Sequence, residues 1–354
     1  MESRFCFVRQ LAGEGAVNSA DDRQIDVFGV GNALVDILAL VDEDFVREHA
    51  IEKGAMTLVD SEKQGGLINQ LEGHDLKLRS GGSAANTMIA VAQSGGSGFY
   101  SGKVARDTHG EFYRQDLLES GIHFDVHPVA ERGPTGTCLV LTTPDAERTM
   151  CTNLGVSVHL HSSDIDRDRL KRCRYAYVEG YLWTGPETRE ACLETMQQAK
   201  RLGVKVAFTF SDFFLVDGFA DDFHELVKEY CDVVFCNADE ARRFCHQESL
   251  DDCCRHLSQI VDTAFVTDGP RGCRVLHLGE DEHVDGFPAT AIDTVGAGDA
   301  FAGGALYGIT HGLSLHQAAR WGNWIASQVV QIYGARLEKP ITFFAQELAK
   351  ISGA

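Results

Sequence analysis

The residues from Asp293 to Leu306, DTVGAGDAFAGGAL, place an acidic side chain directly after a glycine-rich turn. Such a turn lets the backbone approach a ligand closely, and the free N–H groups of Gly296, Ala297 and Gly298 would face an anion at the N-terminus of the helix that follows. Asp299 would stand beside that anion as a proton acceptor. This pairing suits phosphoryl transfer to a hydroxyl, because the amides stabilise the developing charge while the carboxylate takes the proton.

Asp299 also has an interpretation that involves no chemistry. An acidic residue in the first turn of a helix interacts favourably with the helix dipole and can simply cap it. That interpretation does not explain the glycines on both sides of Ala297, since glycine weakens a helix interior by about 1 kcal/mol relative to alanine. Gly303 and Gly304, one turn later, are also compatible with close helix packing.

Two common phosphate-binding motifs are absent from the chain. A P-loop requires G-x-x-x-x-G-K-[ST], but here Gly102-Lys103 is followed by Val104. The dinucleotide motif G-x-G-x-x-G also fails: Leu34 stands in the third glycine position after Gly29-Val-Gly31, Phe301 stands there after Gly296-Ala-Gly298, and no other Gly-x-Gly pair has the third glycine. P-loop NTPases and the usual dinucleotide-binding fold are therefore poor matches.

The composition predicts a folded protein with an acidic surface. The 354 residues include 32 Lys and Arg against 52 Asp and Glu, a formal net charge of −20. This charge argues against nucleic acid and anionic membranes as partners, because both bind by charge neutralisation. No apolar run is long enough to predict a membrane span. We expect a cytoplasmic protein, either a monomer or a homodimer, that acts on small molecules.

The 11 cysteines predict reduced thiols rather than a disulfide framework. Their number is odd, they form no C-x-x-C pair, and the ligand spacing of a zinc site is missing. Residues 1–24 lack the apolar region and the cleavage site of a signal peptide, so we interpret them as a poorly ordered extension before the first strand.

The elements that must position the chemical residues alternate between strands and helices. From about residue 174 onward, short apolar runs alternate with amphipathic helical segments, which indicates βαβ units and a buried parallel sheet. Earlier, SGGSAANTMIAVAQSGG at residues 80–96 predicts a glycine turn that opens into a helix. Ligands of open α/β sheets bind beyond the carboxyl ends of the strands, where such turns lie.

Two segments interrupt this alternation, approximately residues 33–59 and 123–153. Both have the patterns of strands without intervening helices. They predict a small antiparallel β lid, discontinuous in sequence, on a larger α/β domain that spans residues 25–354. A lid beyond the carboxyl ends of the strands would close over the ligand.

Several motifs together resemble the ribokinase, or PfkB, family of carbohydrate and nucleoside kinases. DTVGAGDAFAGGAL is similar to the second signature of that family, and SGGSAANT with GKVARDTHG is similar to the first. GVGNALVD, the glycine pair, TGT, NADE, TDGPRG and GAGD also follow one another in the order of that family. The resemblance covers nearly the whole chain from about Ile25. It implies a ribokinase-like three-layer α/β/α domain with a small antiparallel β lid, and it implies ATP and Mg²⁺ as cofactors.

Within this family the likeness is greatest to adenosine kinases, through GNALVDI, ERTMCTNLG, EGYLWTGPET and CDVVFCNADEA. It implies transfer of a phosphoryl group from ATP to the 5′-type primary hydroxyl of a ribonucleoside, with adenosine as the best single candidate. The alternative is a kinase of the same fold for a free sugar of the ribose, fructose or 2-keto-3-deoxygluconate type. A third hypothesis, a ligand-binding regulator without turnover, is disfavoured by the intact Asp299 and GAGD turn.

The resemblance assigns the reaction to the GAGD turn. It makes Asp299 the catalytic base and makes Gly296, Ala297 and Gly298 the anion hole. It also makes Asp293 the start of a loop for a monovalent cation, with K⁺ as the candidate and YGA at residues 333–335 as a second part of the loop.

The resemblance assigns the ribose hydroxyls to Asp36, Gly82 and Asn86, with Ser83 between the last two. A carboxylate and an amide suit vicinal hydroxyls, because they supply an acceptor and a donor. The plain alternatives are a turn aspartate and a helix-start asparagine. Arg148, at the hinge of the predicted lid, is placed to reach the phosphates, and a solvated arginine is its alternative.

The nucleotide side of the site is assigned in the same way. Asn237 and Glu240 match an N-x-x-E motif that contacts magnesium and phosphate through water, although the same spacing fits a helix cap with a first-turn acid. Asn323, on a late helix, matches a position near the ATP base, and an ordinary polar helix residue is its alternative. The full set assigned to the nucleotide is Asn237, Glu240, Thr267, Gly269, Gly272 and Asn323.

Aromatic residues near the ends of two strands are the candidates for stacking on a base, and plain packing is their alternative. Three residues in this region, Tyr181, Trp183 and Asp212, depart from the family pattern. The departures put the identity of the base in doubt and leave the phosphoryl chemistry unaffected. The aromatic candidates are Tyr181, Trp183, Phe213 and Phe214.

Overall fold

The computed structural model describes residues 23–124, 133–145, 147–339 and 341–352. The first 22 residues, which form most of the predicted N-terminal extension, lie outside the described residues. The strands are β1 (Ile25–Val30), β2 (Leu34–Leu40), β3 (Met56–Leu58), β4 (Lys77–Gly81), β5 (Gly98–Ser101), β6 (Ile122–Phe124), β7 (Gly136–Thr142), β8 (Arg148–Asn153), β9 (Cys173–Glu179), β10 (Lys205–Thr209), β11 (Val233–Asn237), β12 (Thr263–Thr267), β13 (Cys273–His277) and β14 (Glu280–Val284). The helices are α1 (Glu43–Glu48), α2 (Ser61–Gln70), α3 (Ser83–Gln93), α4 (Thr108–Glu119), α5 (Arg167–Lys171), α6 (Pro186–Arg201), α7 (Phe213–Tyr230), α8 (Ala238–Cys245), α9 (Leu250–Leu257), α10 (Ala297–Thr310), α11 (Leu315–Val329) and α12 (Ile341–Ser352).

The described residues form two sheets, and the larger has nine strands in the order β14-β13-β12-β11-β10-β9-β1-β5-β6. The strands from β6 to β12 pair in parallel, and the hairpin β13–β14 extends one edge in antiparallel fashion. The strands next to the centre are almost wholly buried because they are apolar on both faces, as expected of a parallel sheet covered by helices.

Two apolar cores, one on each face of this sheet, define three layers. On one face the core includes side chains of α5 to α9, such as Met196, Phe223 and Phe244. On the other face it includes side chains of α3, α4, α10 and α11, such as Met88, Tyr113 and Phe301. The predicted three-layer α/β/α architecture is therefore confirmed.

The smaller sheet has five strands in the order β3-β8-β7-β2-β4, and one of its faces packs on α1 and α2. The prediction of an antiparallel lid was wrong for half of its pairs. β2–β4 and β7–β8 are antiparallel, whereas β2–β7 and β3–β8 are parallel. The sheet is mixed because β2 and β7, which are distant in sequence, enter it from the same side.

The members of the smaller sheet also differ from the predicted segments 33–59 and 123–153. β4 belongs to it although it lies outside both segments, and β6 pairs with β5 of the larger sheet. A helix, α1, lies inside the first segment, where none was expected. The side chain of Asp42 caps α1 and only Val46 is buried, so six residues were too few to show a helical period.

No helix in the described ranges is long and apolar enough to cross a membrane. Every cysteine that the structure describes is free, and all but Cys231 are buried. These thiols act as small apolar side chains of the cores.

Candidate active site

A cleft of about 1060 Å³ lies beyond the carboxyl ends of the parallel strands. Residues at the ends of five neighbouring strands line it: Asn32, Glu179, Thr209, Asn237 and Thr267. Side chains of the smaller sheet form the opposite wall, and residues 332–339 with the GAGD turn close one side. The cleft is therefore where an open α/β sheet is expected to bind a ligand.

The GAGD turn presents free amides to this cleft. Gly296 is the N-cap of α10 in a left-handed conformation, with φ of 77°. Its N–H, and those of Gly298 and Asp299, have no acceptor among the described residues. The amide of Ala297, in contrast, donates to the carbonyl of Thr294 at 3.2 Å. Of the three amides predicted to form an anion hole, that of Ala297 therefore already has an acceptor, whereas the amide that follows these three in the chain, that of Asp299, has none within the described ranges.

The four glycines of this stretch have different reasons to be glycine. A Cβ on Gly296 would lie 2.4 Å from the Cβ of Ala335, so the turn itself excludes a side chain. A Cβ on Gly303 would lie 2.5 Å from the carbonyl oxygen of Thr87, because α10 packs closely on α3. A Cβ on Gly298 would meet nothing within 4 Å, and this residue lines the cleft. Only at Gly298 does the absent side chain leave space for a ligand.

Asp299 is held by the first turn of α3. Ser83 Oγ donates to its Oδ1 at 2.7 Å, and Asn86 Nδ2 donates to its Oδ2 at 3.1 Å. Burial raises the pKa of Asp299 to about 6, although these two hydrogen bonds act to lower it. A carboxylate with this pKa is ionised at neutral pH and is a stronger base than an exposed aspartate.

Asn86 and Asp36 both line the cleft next to Asp299. Asn86 is buried, and its Oδ1 has no hydrogen-bond partner among the described residues, which leaves an acceptor for a ligand hydroxyl. Burial raises the pKa of Asp36 to about 6, against the opposing effect of Arg336. Gly82 has φ of 99°, and a Cβ there would lie 2.1 Å from the carbonyl oxygen of Asn32, so it is needed for the turn into α3.

Glu179 is a cleft residue that the sequence analysis did not single out. It is 1% exposed and accepts hydrogen bonds from the amides of Asn32 and Ala84, both at 2.7 Å. It thereby fixes the start of α3, which carries Ser83 and Asn86. Burial raises the pKa of Glu179 to about 7, and the amides act to lower it. An acid at the end of the apolar run YAYVE was the available signal, because a charge there needs partners or a ligand.

Arg148 forms a buried ion pair with Asp293, with 2.8 Å between the guanidinium and Oδ2. Asp293 also accepts hydrogen bonds from the amides of Val295 and Gly334, one on each carboxylate oxygen. A monovalent cation on Asp293 would share this site with the guanidinium, and two such charges repel by about 4 kcal/mol at a separation of about 4 Å. The predicted K⁺ site at Asp293 does not fit this arrangement.

Asn237 and Glu240 form a capping box at the start of α8. The Asn237 side chain accepts from the amides of Asp239 and Glu240 at 2.9 Å, and the Glu240 carboxylate accepts from the Asn237 backbone at 3.0 Å and side chain at 2.9 Å. The interpretation as a helix cap is therefore correct. Both residues also line the cleft, and burial raises the pKa of Glu240 to about 7.

The fit of Mg²⁺ depends on the oxygen donors near this capping box. Glu240 and Asn237 line the cleft and carry side-chain oxygens, but the Asn237 amide already donates a hydrogen bond to the Glu240 carboxylate. Within the described ranges no group of three or more His, Cys, Asp or Glu could hold a metal ion. The donor set fits a magnesium ion that keeps its waters and its phosphate ligands.

The remaining nucleotide assignments divide into cleft and framework residues. Thr267, at the end of β12, lines the cleft. Gly269 and Gly272, with φ of 56° and 92°, form the turn into β13 and are not among the cleft residues. Asn323 is buried and donates to the carbonyls of Val284 and Asp285 at 3.1 and 3.2 Å, so it ties α11 to the sheet edge.

Two of the four aromatic candidates reach the cleft. Tyr181 and Phe214 line it with ring centroids 6.2 Å apart, and the Tyr181 hydroxyl donates to Asp212 at 3.3 Å. Trp183 is 5% exposed and packs on Phe223 in the core. Phe213 is 52% exposed and lies outside the cleft, under the guanidinium of Arg243. The predicted stacking role does not fit Trp183, because it is buried in the core. It does not fit Phe213 either, because the next residue, Phe214, lines the cleft in its place.

Comparison with known proteins adds the family. A model described as the pfkB family carbohydrate kinase matches residues 58–342. Adenosine kinase of Saccharomyces cerevisiae is 26% identical over 327 residues, which cover 86% of this chain and 94% of that protein. Adenosine kinase 1 of Arabidopsis thaliana is 25% identical over 343 residues, 89% of this chain and 96% of that protein. Ribokinase of Mus musculus is 24% identical over 280 residues, 76% of this chain and 84% of that protein.

Two solved structures are similar over almost their whole length. A probable sugar kinase from Rhizobium etli superposes with a TM-score of 0.86 at 33% identity, covering 93% of this chain and 99% of that one. Adenosine kinase from Sinorhizobium meliloti superposes with a TM-score of 0.85 at 35% identity, covering 91% of this chain and 99% of that one.

Proposed function

The chain belongs to the pfkB family of carbohydrate kinases and is on that ground an ATP-dependent kinase, and we propose that its acceptor is the 5′-type primary hydroxyl of a ribonucleoside, with adenosine as the first candidate. One observation carries the chemistry: Asp299 lies between hydrogen bonds from Ser83 and Asn86, next to free amides at the N-terminus of α10.

In this proposal Asp299 takes the proton of the acceptor hydroxyl as that oxygen attacks the γ-phosphorus. The bond between the γ-phosphorus and the β–γ bridging oxygen breaks at the same time, and ADP leaves. The amides of Gly296, Gly298 and Asp299 stabilise the charge on the transferred phosphoryl group, with help from the dipole of α10. Ser83 and Asn86 orient the carboxylate. Because burial raises the pKa of Asp299, the proton transfer is more favourable than it would be to an exposed aspartate.

The acceptor side of the cleft suits a ribose. Asp36 supplies acceptor oxygens, and Asn86 supplies an acceptor that has no other partner among the described residues. Tyr181 and Phe214 offer aromatic surface to a base. Adenosine kinases of two eukaryotes and of Sinorhizobium meliloti among the similar proteins support the nucleoside over a free sugar.

The donor side of the cleft is proposed to run from the GAGD turn to Asn237, Glu240 and Thr267. Mg²⁺, when bound with ATP, would neutralise phosphate charge there, and Glu240 and Asn237 would contact its waters. We propose that the smaller sheet acts as a lid that excludes water and limits wasteful ATP hydrolysis. The buried free thiols suit a cytoplasmic enzyme. With adenosine as the acceptor, the proposed metabolic role is salvage of a purine nucleoside.

A panel of acceptors tests the proposed function. ADP release from ATP and Mg²⁺ should be much faster with adenosine than with ribose, fructose or 2-keto-3-deoxygluconate. Inosine, guanosine and cytidine complete the panel and rank the bases. Phosphorylation of a free sugar, with every nucleoside inert, would overturn the nucleoside assignment and favour the second candidate, a sugar kinase. The likeness to a probable sugar kinase and to a ribokinase supports this second candidate.

The activity should depend on the ionisation of Asp299. Since burial raises its pKa to about 6 and the base must be ionised, kcat/KM should fall on acidification through this pH. The measurement is kcat/KM for adenosine between mild acid and mild alkali, with thermal unfolding recorded at each pH to exclude loss of folded protein. A profile that stays flat well below the pKa of Asp299 would contradict the role of this carboxylate.

A further inference from the structure

The ion pair between Arg148 and Asp293 is among the most buried charged contacts that the structure describes. The two side chains are 7% and 1% exposed, and 2.8 Å separates Nη1 of Arg148 from Oδ2 of Asp293. Removal of charges from water is costly unless they are paired and hydrogen-bonded, and breaking such a pair leaves an uncompensated charge. A pair at this depth must therefore hold both of its partners in place.

Asp293 in turn holds the backbone of the GAGD turn through hydrogen bonds. Its Oδ1 accepts from the amide of Val295 at 3.0 Å, and its Oδ2 accepts from the amide of Gly334 at 2.9 Å. Gly296 follows directly, with a left-handed φ, and Ala335 lies against it. The carboxylate of Asp293 thus joins the two chain segments that bring the free amides to the cleft.

Arg148 extends the connection to the smaller sheet. It is the first residue of β8, where it pairs with Thr142 of β7, and it lines the cleft. Its Nε is buried without a hydrogen-bond partner among the described residues. One guanidinium therefore connects the sheet over the cleft with the turn that binds the anion.

We propose that Arg148 is a positioning residue that serves as the built-in cation of the GAGD turn, holding Asp293 where a monovalent metal ion would otherwise be needed. The reaction is then independent of K⁺ and other monovalent cations. The smaller sheet and the anion-binding amides form one mechanical unit, because the cation is covalently part of β8. The proposal rests on the phosphoryl transfer proposed above.

Exchange of the salt tests the proposal on the unmodified enzyme. At equal ionic strength, kcat and the thermal midpoint of unfolding should be the same in KCl, NaCl and tetramethylammonium chloride. Activation by K⁺, or stabilisation by K⁺ over tetramethylammonium, would overturn the proposal. The thermal midpoint needs no turnover, so it tests Arg148 even if every acceptor proves inert and the proposed function fails.

Arg148→Met separates positioning from simple packing. Removal of the guanidinium should lower kcat roughly 10-fold to 100-fold, because the amides of the turn lose their alignment. K⁺ or a low concentration of guanidinium should restore part of the loss, whereas tetramethylammonium, which is too large, should not. Arg189→Met is the matched control, since Arg189 packs over Trp183 away from the cleft and should show no dependence on the salt. An Arg148→Met enzyme with unchanged kcat, or with no response to any cation, would contradict the proposal.

Discussion

Replacement of Asp299 by asparagine is expected to lower kcat by about 10²–10⁴-fold, the usual value of general base catalysis. The amide keeps the shape of the side chain but cannot accept the proton of the attacking hydroxyl. Ser83 can still donate to the remaining carbonyl oxygen, so the fold should be retained. The measurement is kcat with adenosine, ATP and Mg²⁺, together with the dissociation constant of adenosine by calorimetry.

The matched control is Asp217→Asn, because Asp217 is half-exposed, pairs with Arg243 and lies outside the cleft. This variant should keep the kcat of the unmodified enzyme. If Asp299→Asn stayed within about tenfold of the unmodified enzyme, the loss would be too small for a catalytic base, and another group would have to take the proton.

Gly298→Ala is expected to separate activity from stability. A Cβ at this position meets nothing within 4 Å in the protein, and α10 continues through it, so the folded state should keep or slightly gain stability. The methyl group would instead stand in the cleft, next to the amides that are proposed to stabilise the transferred phosphoryl group. We expect kcat to fall by about 10²–10³-fold, comparable to the loss of one oxyanion donor, with an equal or slightly higher urea midpoint.

Gly303→Ala is the control, and we expect it to lower the stability of the folded protein. The added Cβ would lie 2.5 Å from the Cβ of Ala90 and from the carbonyl oxygen of Thr87, so α10 and α3 would have to separate. Overpacking of this kind costs about 1–3 kcal/mol of unfolding free energy. A Gly298→Ala enzyme that is fully active, or one that is destabilised like Gly303→Ala, would contradict the assignment of this turn to the phosphoryl group.

Much of the larger sheet was predictable, because parallel strands buried on both faces are apolar throughout and alternate with amphipathic helices. The smaller sheet was less predictable. The segment KLRSG, which forms β4, lacks the alternation of apolar and polar residues that predicts a strand, so no sequence pattern indicated it. The direction of β7 against β2 is a property of distant pairing, and local periodicity carries no information about it.

The site was predictable where the conformation of a short motif is determined by the residues of the motif itself. The turn before Asp299 and the glycines before Ser83 are local features, and the structure brings Ser83, Asn86 and Asp299 together. Side chains whose direction depends on packing were not predictable. The choice between Phe213 and Phe214 is made by the first turn of α7, and Asn323 and Gly272 serve the sheet edge rather than the cleft.

The partners of buried charges were the least predictable part of the site. Arg148 and Asp293 are distant in sequence and meet only because β8 lies over the GAGD turn. Glu179 likewise finds its amide partners at Asn32, in the loop after β1, and at Ala84, in α3. In both cases the residue type signalled a need for a partner, and only the fold identified which partner it was.

The ³¹P NMR spectrum of the product formed from adenosine, ATP and Mg²⁺ tests the central claim, phosphoryl transfer to a primary hydroxyl next to Asp299, most directly. A 5′-monophosphate is predicted, with its phosphorus signal split into a triplet by the two protons on C5′. A doublet, which a phosphate on a secondary hydroxyl would give, or free orthophosphate alone, which hydrolysis of ATP would give, would contradict the claim.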